Sequence, residues 1–496
     1  MRMSTNELKS DRRFLARCAT LLDTTIFVCL MAVIAFTVIP YGTVDAWWEA
    51  FFECAVFGIT AAWICEVLFR GQWGIGKLSI LLPAILITAY IFAQSVVWPN
   101  WLPIGTARLS AQHALTIDRY QTYLTARKAL ALTLFLGLLL LHTSSPRRFR
   151  SLVHVVIGVG LGSALFGIIR QFLQTPDSPA GFVLPFLFYG TGYGQFISPN
   201  VFAYLMEMVF ALVAGLVLGG GLRRNRIPIY LAFGVLVWTA LVLSNSRGSI
   251  LGLSVQSILL LLVSLNWYSK RQRSTEKGTQ PKWLTFLGSS ALVRVPLTVL
   301  IVATLFVGVL WMGGERLASK LQSADSLQDT IDGTTRHDIW RSSWRLIKDQ
   351  PWTGVGFGSY FLAIPQYQTG AGRLKLEQAH NDYLDLTANG GVVAVVLAAW
   401  FAAWLIRRSI YCFRSADAYR RAACLGATAG IVSIAVHSLV DFGLQITGIA
   451  VVFIALIVIL VADNRVNAVS PENNAALFPY DRRARAVGLR FDSEDA

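Results

Sequence analysis

A single histidine at the start of a long apolar run is the strongest candidate for acid–base chemistry. His380 is followed by Asn, Asp and Tyr just where this run begins. A neutral imidazole near pH 7 can accept a proton from a hydroxyl group, and Asp382 or another carboxylate could orient the ring. A lone histidine is usually structural, but this polar setting at the edge of an apolar run favours a general base.

Arg336 opens a second polar segment, from which Trp340, Trp344 and Ile347 recur at helical spacing. This pattern predicts a short amphipathic helix at a membrane surface. The other basic residues of the segment are expected on its solvated face: Arg341, Arg345 and Lys348. Arg336 lies at the helix start, where a cation opposes the helix dipole, and this cost favours a role in holding an anion.

Arg247 lies in the sequence Ser-Asn-Ser-Arg-Gly-Ser between two apolar runs. An arginine at the end of a membrane span is costly unless it reaches water or a partner. It is therefore either a snorkelling residue at a tight helical hairpin or an anion ligand. In the second case Ser246 would add a hydroxyl donor, and free N–H groups at the helix terminus would face the anion.

His437 and Asp441 form a second histidine–carboxylate pair. They are four residues apart, which predicts a shared helix face. We interpret the pair as a supporting polar contact and His437 as the runner-up base. Metal catalysis is not expected, because the spacing of Asp325, Asp329 and Asp332 matches no ion-binding motif. The glycines at 354, 356 and 358 follow a proline and predict a turn rather than a nucleotide loop, so no cofactor is expected.

Composition places the chain in a membrane. Of its 496 residues, 55% are hydrophobic and 14% charged, whereas soluble domains have about 25% charged residues. The net charge of +15 could suggest nucleic acid, but the basic residues fall in short clusters between apolar runs. The six cysteines form no CxxC pair and predict neither a disulfide framework nor a zinc site.

Run lengths predict about twelve membrane spans. Their approximate limits are 20–41, 47–69, 76–97, 122–142, 151–173, 196–221, 227–245, 248–267, 292–312, 383–406, 421–442 and 446–462. The fold class is thus an all-α polytopic membrane protein. Most lysines and arginines fall in alternate loops, which predicts that both termini are cytoplasmic and that the polar segment 313–382 lies on the outer face.

The chain divides accordingly into six parts. They are a cytoplasmic N-terminus (1–19), an N-terminal bundle (20–195), helices with the Ser-Arg-Gly turn (196–312), an outer catalytic loop (313–382), C-terminal helices (383–462) and a cytoplasmic tail (463–496). The segment 174–195, rich in proline, glycine and aromatic residues, is a candidate cover over the site.

Six short motifs, considered together, carry a family resemblance. They lie at 198–203, 244–248, 336–340, 349–358, 379–384 and 437–441, in an order that covers roughly residues 195–445. The combination resembles the O-antigen ligase and polymerase family of bacterial membrane glycosyltransferases. Each motif alone is weak, and the first five spans resemble the family only in hydropathy.

The resemblance implies a GT-C-like fold in the bacterial inner membrane that uses neither a nucleotide sugar nor a metal. The implied donor is a glycan on undecaprenyl diphosphate, held by Arg247 and Arg336 on the periplasmic side, while His380 activates the acceptor. A ligase would use lipid A-core as acceptor and a polymerase a second lipid-linked glycan. Membrane lipids surround the protein, and no nucleic acid is involved.

A transporter or flippase is the alternative from another class, because twelve spans also suit it. The major-facilitator pattern has an aspartate in a basic loop after the second span. The corresponding loop here, residues 70–77, lacks that aspartate, and only the second half of the chain has a long loop. Both features favour the enzyme.

Overall fold

The computed structural model describes residues 5–71, 81–99, 114–173, 192–275, 336–368 and 376–462. Over these ranges the chain forms thirteen α-helices: α1 (Thr5–Val38), α2 (Ala46–Arg70), α3 (Leu81–Ser95), α4 (Arg119–His142), α5 (Pro146–Leu173), α6 (Pro199–Leu218), α7 (Ile227–Leu243), α8 (Arg247–Thr275), α9 (Arg336–Asp349), α10 (Tyr360–Ala363), α11 (Asp382–Cys412), α12 (Ala418–His437) and α13 (Thr447–Val461). Short 3₁₀ turns occur at Arg224–Arg226, Ile364–Tyr367 and Gly443–Gln445. Strand-like pairing within these ranges is limited to two isolated bridges.

The helices confirm the predicted all-α membrane fold. Eight helical segments in the described ranges are long and apolar enough to cross a bilayer, and each coincides with a predicted span. The shorter apolar helices α3 and α13 coincide with two more, and α12 occupies most of the predicted span 421–442. The predicted span 292–312, most of the candidate cover and the tail lie outside the described residues.

α6 and α13 lie at the centre of the bundle. Both are apolar on every side, and nearly all their residues are buried, as expected of helices surrounded by others. α6 packs against α12 where Gly215 meets Gly426, and a Cβ on Gly215 would overlap the Gly426 backbone. Small residues let membrane helices approach closely in this way. The packing brings the first half of α6 beside the end of α12.

α11 is broken at Gly391, whose φ of 60° and ψ of −162° are not helical. The segment after α9 supplies the hydrogen bonds that the break removes. The N–H of Val392 donates to the Pro351 carbonyl at 2.9 Å, and the N–H of Val355 donates to the Ala388 carbonyl at 2.9 Å. Irregular backbone at membrane depth is tolerated when protein groups satisfy it in this manner.

The glycine-rich segment between α9 and α10 forms a turn against this break, as its sequence predicts. Three of its glycines have positive φ: Gly354, Gly356 and Gly358. Gln94 of α3 fixes the turn from the other side, because its Nε2 donates to the Thr353 carbonyl at 2.8 Å and its Oε1 accepts from the Phe357 N–H at 3.2 Å. The segment thus connects α9 to the membrane helices α3 and α11.

We expect Gly391→Ala to destabilise the protein, by about 1–3 kcal/mol. The alanine Cβ would meet the Trp352 carbonyl, and the positive φ is unfavourable for any residue with a Cβ. The thermal midpoint of the detergent-solubilised protein measures the effect. Gly58→Ala is the control, because Gly58 is a helical glycine with no atom near its Cβ position. A midpoint for Gly391→Ala no lower than that of the control would contradict the prediction.

A disulfide bond joins Cys412, the last residue of α11, to Cys424 in α12, with the Cα atoms 6.3 Å apart. The expectation of no disulfide is therefore wrong for this pair. The physical reason is the short connection between α11 and α12, which places their adjoining ends side by side although the two cysteines share no sequence motif. The remaining cysteines are free.

Candidate active site

His380 is held in an unusual backbone conformation at the N-terminus of α11. Its φ of 48° lies in the left-handed region, which is rare for a residue with a side chain. The next residue fixes the chain: the Asn381 side chain caps α11 by accepting from the Tyr383 N–H at 2.9 Å. Its Nδ2 also donates to the Leu439 carbonyl at 2.8 Å. These bonds tie His380 to the segment that follows α12.

The carboxylate of Asp441 faces the His380 ring. His380 Nδ1 and Asp441 Oδ1 are 3.9 Å apart, and the ring of Phe442 meets the imidazole edge-on at 4.9 Å. Neither His380 Nδ1 nor Asp441 Oδ2 has a hydrogen-bond partner among the described residues. The distance is too long for a hydrogen bond, but catalytic contacts of this kind often tighten only when the substrate binds.

The electrostatic surroundings of Asp441 connect three of the predicted site residues. Burial alone would raise the pKa of this carboxyl, but His380, His437, the N–H of Phe442 and Arg336 together hold the pKa below its ordinary value. Asp441 is therefore a buried carboxylate that remains ionised. The charge of Arg336, at the start of the helix α9, makes the smallest of these contributions.

Asp382, predicted as a support for His380, supports the backbone instead of the ring. Its Oδ2 accepts from the Ser438 hydroxyl at 2.7 Å, and its N–H donates to the Ser438 carbonyl at 3.0 Å. The carboxylate that could orient the His380 ring is Asp441, because it faces the imidazole. This fits the alternative prediction that a carboxylate other than Asp382 has this role. Asp382 thus keeps the start of α11 on the segment after α12.

The prediction that His437 and Asp441 share a helix face is wrong. α12 ends at His437, and Asp441 lies in the connection to the next 3₁₀ turn. The carboxylate that binds His437 is Glu207 of α6, whose Oε1 lies 2.7 Å from His437 Nδ1. Both side chains are fully buried.

The Glu207–His437 pair is enclosed by polar and aromatic groups. Ser433 donates its hydroxyl to Glu207 Oε2, and the ring of Tyr204 stacks on the imidazole with centroids 4.0 Å apart. His437 Nε2 is buried and has no hydrogen-bond partner among the described residues. The hydrogen bond to Glu207 fixes the orientation of the His437 ring, on which Gly248 at the start of α8 packs.

Arg247 begins α8 after a turn in which Asn245 has a φ of 55°. The buried Ser246 stabilises the turn, because its carbonyl accepts from the Ser249 hydroxyl at 2.7 Å. Gly248 lies directly on His437, so that a Cβ there would overlap the imidazole. This contact places the start of α8, and with it Arg247, beside the Glu207–His437 pair.

The helix predicted to start at Arg336 is confirmed as α9, but its buried face differs from the predicted one. The buried residues include Ile339, Leu346 and Ile347, which pack on α10 and on Ala379, the residue before His380. Trp344 is 53% exposed instead. The basic residues Arg341, Arg345 and Lys348 are exposed, as predicted. Trp340 is half-buried, so of the two tryptophans only Trp344 is exposed where it could meet a membrane interface.

The predicted site residues are all related to one segment, residues 437–442, but they do not form one cluster of mutual contacts. His380 faces Asp441 of this segment, and the charge of Arg336 acts on the same carboxylate. Arg247 is connected to the segment through Gly248, which packs on His437. Glu207 is a further residue of this region that was not predicted. It is a carboxylate in the middle of the apolar run 196–221, and a charged residue at such a position usually has a partner or a function.

One cluster of described residues has the spacing of metal ligands, at the opposite end of the bundle. The ligand atoms of Asp23, Glu66 and His142 lie within 4.8 Å of one another. Arg148, however, makes two short bonds to Asp23, at 2.6 and 2.9 Å, and Arg70 pairs with Glu66 at 2.7 Å. The arginines already neutralise the carboxylates, so this is an ion-pair network. The three loop aspartates considered above lie outside the described residues.

We expect Glu207→Leu to lower the stability of the protein by about 1–3 kcal/mol, because it leaves His437 Nδ1 and the Ser433 hydroxyl buried without a partner. Glu207→Gln keeps a carbonyl oxygen in place and should lose clearly less. Thermal unfolding in detergent ranks the three proteins. Equal midpoints for Glu207→Leu and the wild type would mean that the pair contributes nothing to the fold.

The fold and these residues define a multi-pass, all-α membrane protein with arginine, histidine and carboxylate groups gathered at one end of the bundle. Residues 231–399 match the family model described as O-antigen ligase. The matched segment contains Arg247, Arg336 and His380, and over it the predicted resemblance to the O-antigen ligase/polymerase family is confirmed. No curated protein matches the chain.

The family gives the broad function. It indicates glycosyltransferase-like activity in a membrane, with a lipid-linked glycan as the general class of substrate. The matched segment ends before residues 437–442, although these carry the carboxylate and the second histidine of the site.

Proposed function

We propose that this protein transfers a glycan from undecaprenyl diphosphate to an acceptor hydroxyl on the periplasmic face of the inner membrane, as an O-antigen ligase does. The observation that supports the proposal is the setting of Asp441: the His380 ring faces this carboxylate at 3.9 Å, and His380 and Arg336 both lower its pKa. A base, a cation and an orienting carboxylate are the groups that this reaction needs. The family match supports the same reaction class.

The chemistry follows from the charges. The acceptor oxygen attacks the anomeric carbon of the donor while the bond from this carbon to the diphosphate oxygen breaks. The hydroxyl proton passes to His380, and Asp441 stabilises the imidazolium that forms. Negative charge develops on the leaving lipid diphosphate, where Arg336 and Arg247 neutralise it through bidentate contacts. Because the diphosphate is already a good leaving group, no strong general acid is required.

The test is glycan transfer by the purified protein. It is supplied with an undecaprenyl-diphosphate-linked glycan and, in separate reactions, lipid A-core or a second lipid-linked glycan. Transfer to lipid A-core identifies a ligase, and chain extension identifies a polymerase. EDTA should leave the rate unchanged, because guanidinium groups perform the charge neutralisation. No transfer to either acceptor would overturn the proposal, and uptake of the intact lipid-linked glycan without transfer would favour a transporter.

Arg247→Lys tests the diphosphate contact in the same assay. Lysine keeps the charge but loses the planar fork that matches a phosphate. Losing one charge-assisted hydrogen bond should slow transfer by about tenfold or more. Transfer at the wild-type rate would remove Arg247 from the diphosphate site while leaving the roles of His380 and Arg336 untouched.

A further inference from the structure

A basic cavity lies at the end of the bundle opposite to the candidate active site. Its volume is about 200 Å³, and it opens where α5, the α6–α7 connection and α12 meet. The polar residues that line it are Arg150, His154, Arg223, Arg226, Tyr230 and Tyr419. α12 runs from this cavity to His437, so its whole length separates the two sites.

The lining has an excess of positive charge that its own residues do not compensate. Three arginines face the cavity, and no carboxylate is among the lining residues. Asp417, two residues before Tyr419, is engaged as the cap of α12, where it accepts from the N–H of Tyr419 at 2.9 Å. Arg150 lies over the Tyr419 ring, 5.2 Å from its centroid.

Hydroxyl and imidazole groups add hydrogen-bonding capacity inside this positive field. The Tyr419 hydroxyl is buried and has no hydrogen-bond partner among the described residues, and a buried polar atom of this kind needs an explanation. The buried Tyr230 places its hydroxyl 3.2 Å from His154 Nε2. Basic side chains at a membrane surface usually point into water. Here basic and hydroxyl side chains from α5, from the α6–α7 connection with α7, and from α12 line one cavity.

We propose that this cavity binds the phosphate of an anionic phospholipid head group. Arginine forks suit phosphate oxygens, and basic pockets between membrane helices at the cytoplasmic surface recognise such head groups. The size fits a head group and not a whole ligand, since pockets for drug-sized ligands begin at about 300 Å³. The helix α7, which contributes Tyr230 to the lining, exposes Leu231 (54%) and Val235 (63%) on one side, where acyl chains could lie.

Binding of soluble lipids to the delipidated, full-length protein tests the site. Native mass spectrometry would follow titrations with dihexanoyl phosphatidylglycerol, dihexanoyl phosphatidylcholine and inorganic phosphate. The variant R150Q/R223Q/R226Q should bind phosphatidylglycerol at least roughly tenfold more weakly. The control R147Q/R224Q/R414Q removes equal charge from exposed arginines at the same end of the bundle and should bind as the wild type does.

Tyr419→Phe is the second variant, because it removes only the hydroxyl without a protein partner. It should weaken binding by roughly fivefold or more while the thermal midpoint stays unchanged. Stronger binding of phosphatidylglycerol than of phosphatidylcholine, lost in the pocket variants alone, supports the proposal. If inorganic phosphate binds in a pocket-dependent way and phosphatidylglycerol does not bind, the ligand is a soluble anion and the head-group proposal is overturned. Wild-type affinity in both pocket variants, or an equal loss in the control, would overturn the site.

Discussion

Replacing His380 with alanine is expected to reduce glycan transfer by about 10²–10⁴-fold, the usual contribution of a positioned general base. The structure gives the physical reason, since the His380 ring lies edge-on to Phe442 and faces Asp441 at 3.9 Å, on a backbone of positive φ. Initial rates with saturating lipid-linked donor measure the effect. The thermal midpoint should change little, because His380 is partly exposed and its Nδ1 forms no hydrogen bond with the described residues.

The matched control is His337→Ala, which removes an exposed histidine next to Arg336. It should transfer at the wild-type rate. Asp441→Asn separates orientation from proton transfer, because asparagine keeps the shape of the carboxylate but cannot stabilise an imidazolium. We expect it to slow transfer without abolishing it and to shift the pH–rate profile. If His380→Ala transfers at the control rate, His380 is not the base.

Hydropathy located the membrane helices well, because the thickness of the bilayer sets the length of an apolar run. α4 and α7 illustrate this, since both end within a few residues of the predicted spans. The break in α11 at Gly391 was not predicted, because the Gly390–Gly391 pair lies inside a long apolar run that predicts a continuous helix. Only the carbonyl and N–H groups of the glycine-rich turn, from a distant part of the chain, show that the helix opens there.

In the candidate site, too, features set by the local sequence were predicted and features set by tertiary contacts were not. Residues 438–442 contain neither Gly nor Pro that would end a helix before Asp441, so the spacing predicted a shared face. The helix ends because tertiary contacts take its carbonyls: Ser438 O accepts from the N–H of Asp382, and Leu439 O accepts from Asn381. Residue types identified the candidate histidines, whereas their carboxylate partners depended on packing.

The pairing of His437 with Glu207 has a consequence for the assignment of roles. A buried imidazole bound to a buried carboxylate and covered by Gly248 and Tyr204 is suited to fixing the Arg247 turn. His380 is the more accessible of the two, with 21% of its side chain exposed, whereas His437 is completely buried. Accessibility therefore favours His380 as the base and His437 as a support, in agreement with the sequence interpretation.

Arg336→Ala is expected to slow transfer by about 10²–10³-fold, the loss typical when one group that stabilises transition-state charge is removed. Arg336 begins α9, whose buried face packs against Ala379, so its position relative to His380 is fixed by the helix core. Arg341→Ala is the control, because Arg341 lies on the same helix with its side chain exposed. Transfer rates and thermal midpoints of both variants measure the effect.

The donor dependence distinguishes a diphosphate contact from a structural role. If Arg336 holds the leaving group, Arg336→Ala loses rate even at saturating donor, and Arg336→Lys recovers only part of it because the bidentate geometry is absent. If Arg336 only balances the charge of Asp441, the double variant R336A/D441N should be no slower than Asp441→Asn alone. The first result assigns Arg336 to the leaving diphosphate, and the second would leave Arg247 as the cation that faces the donor.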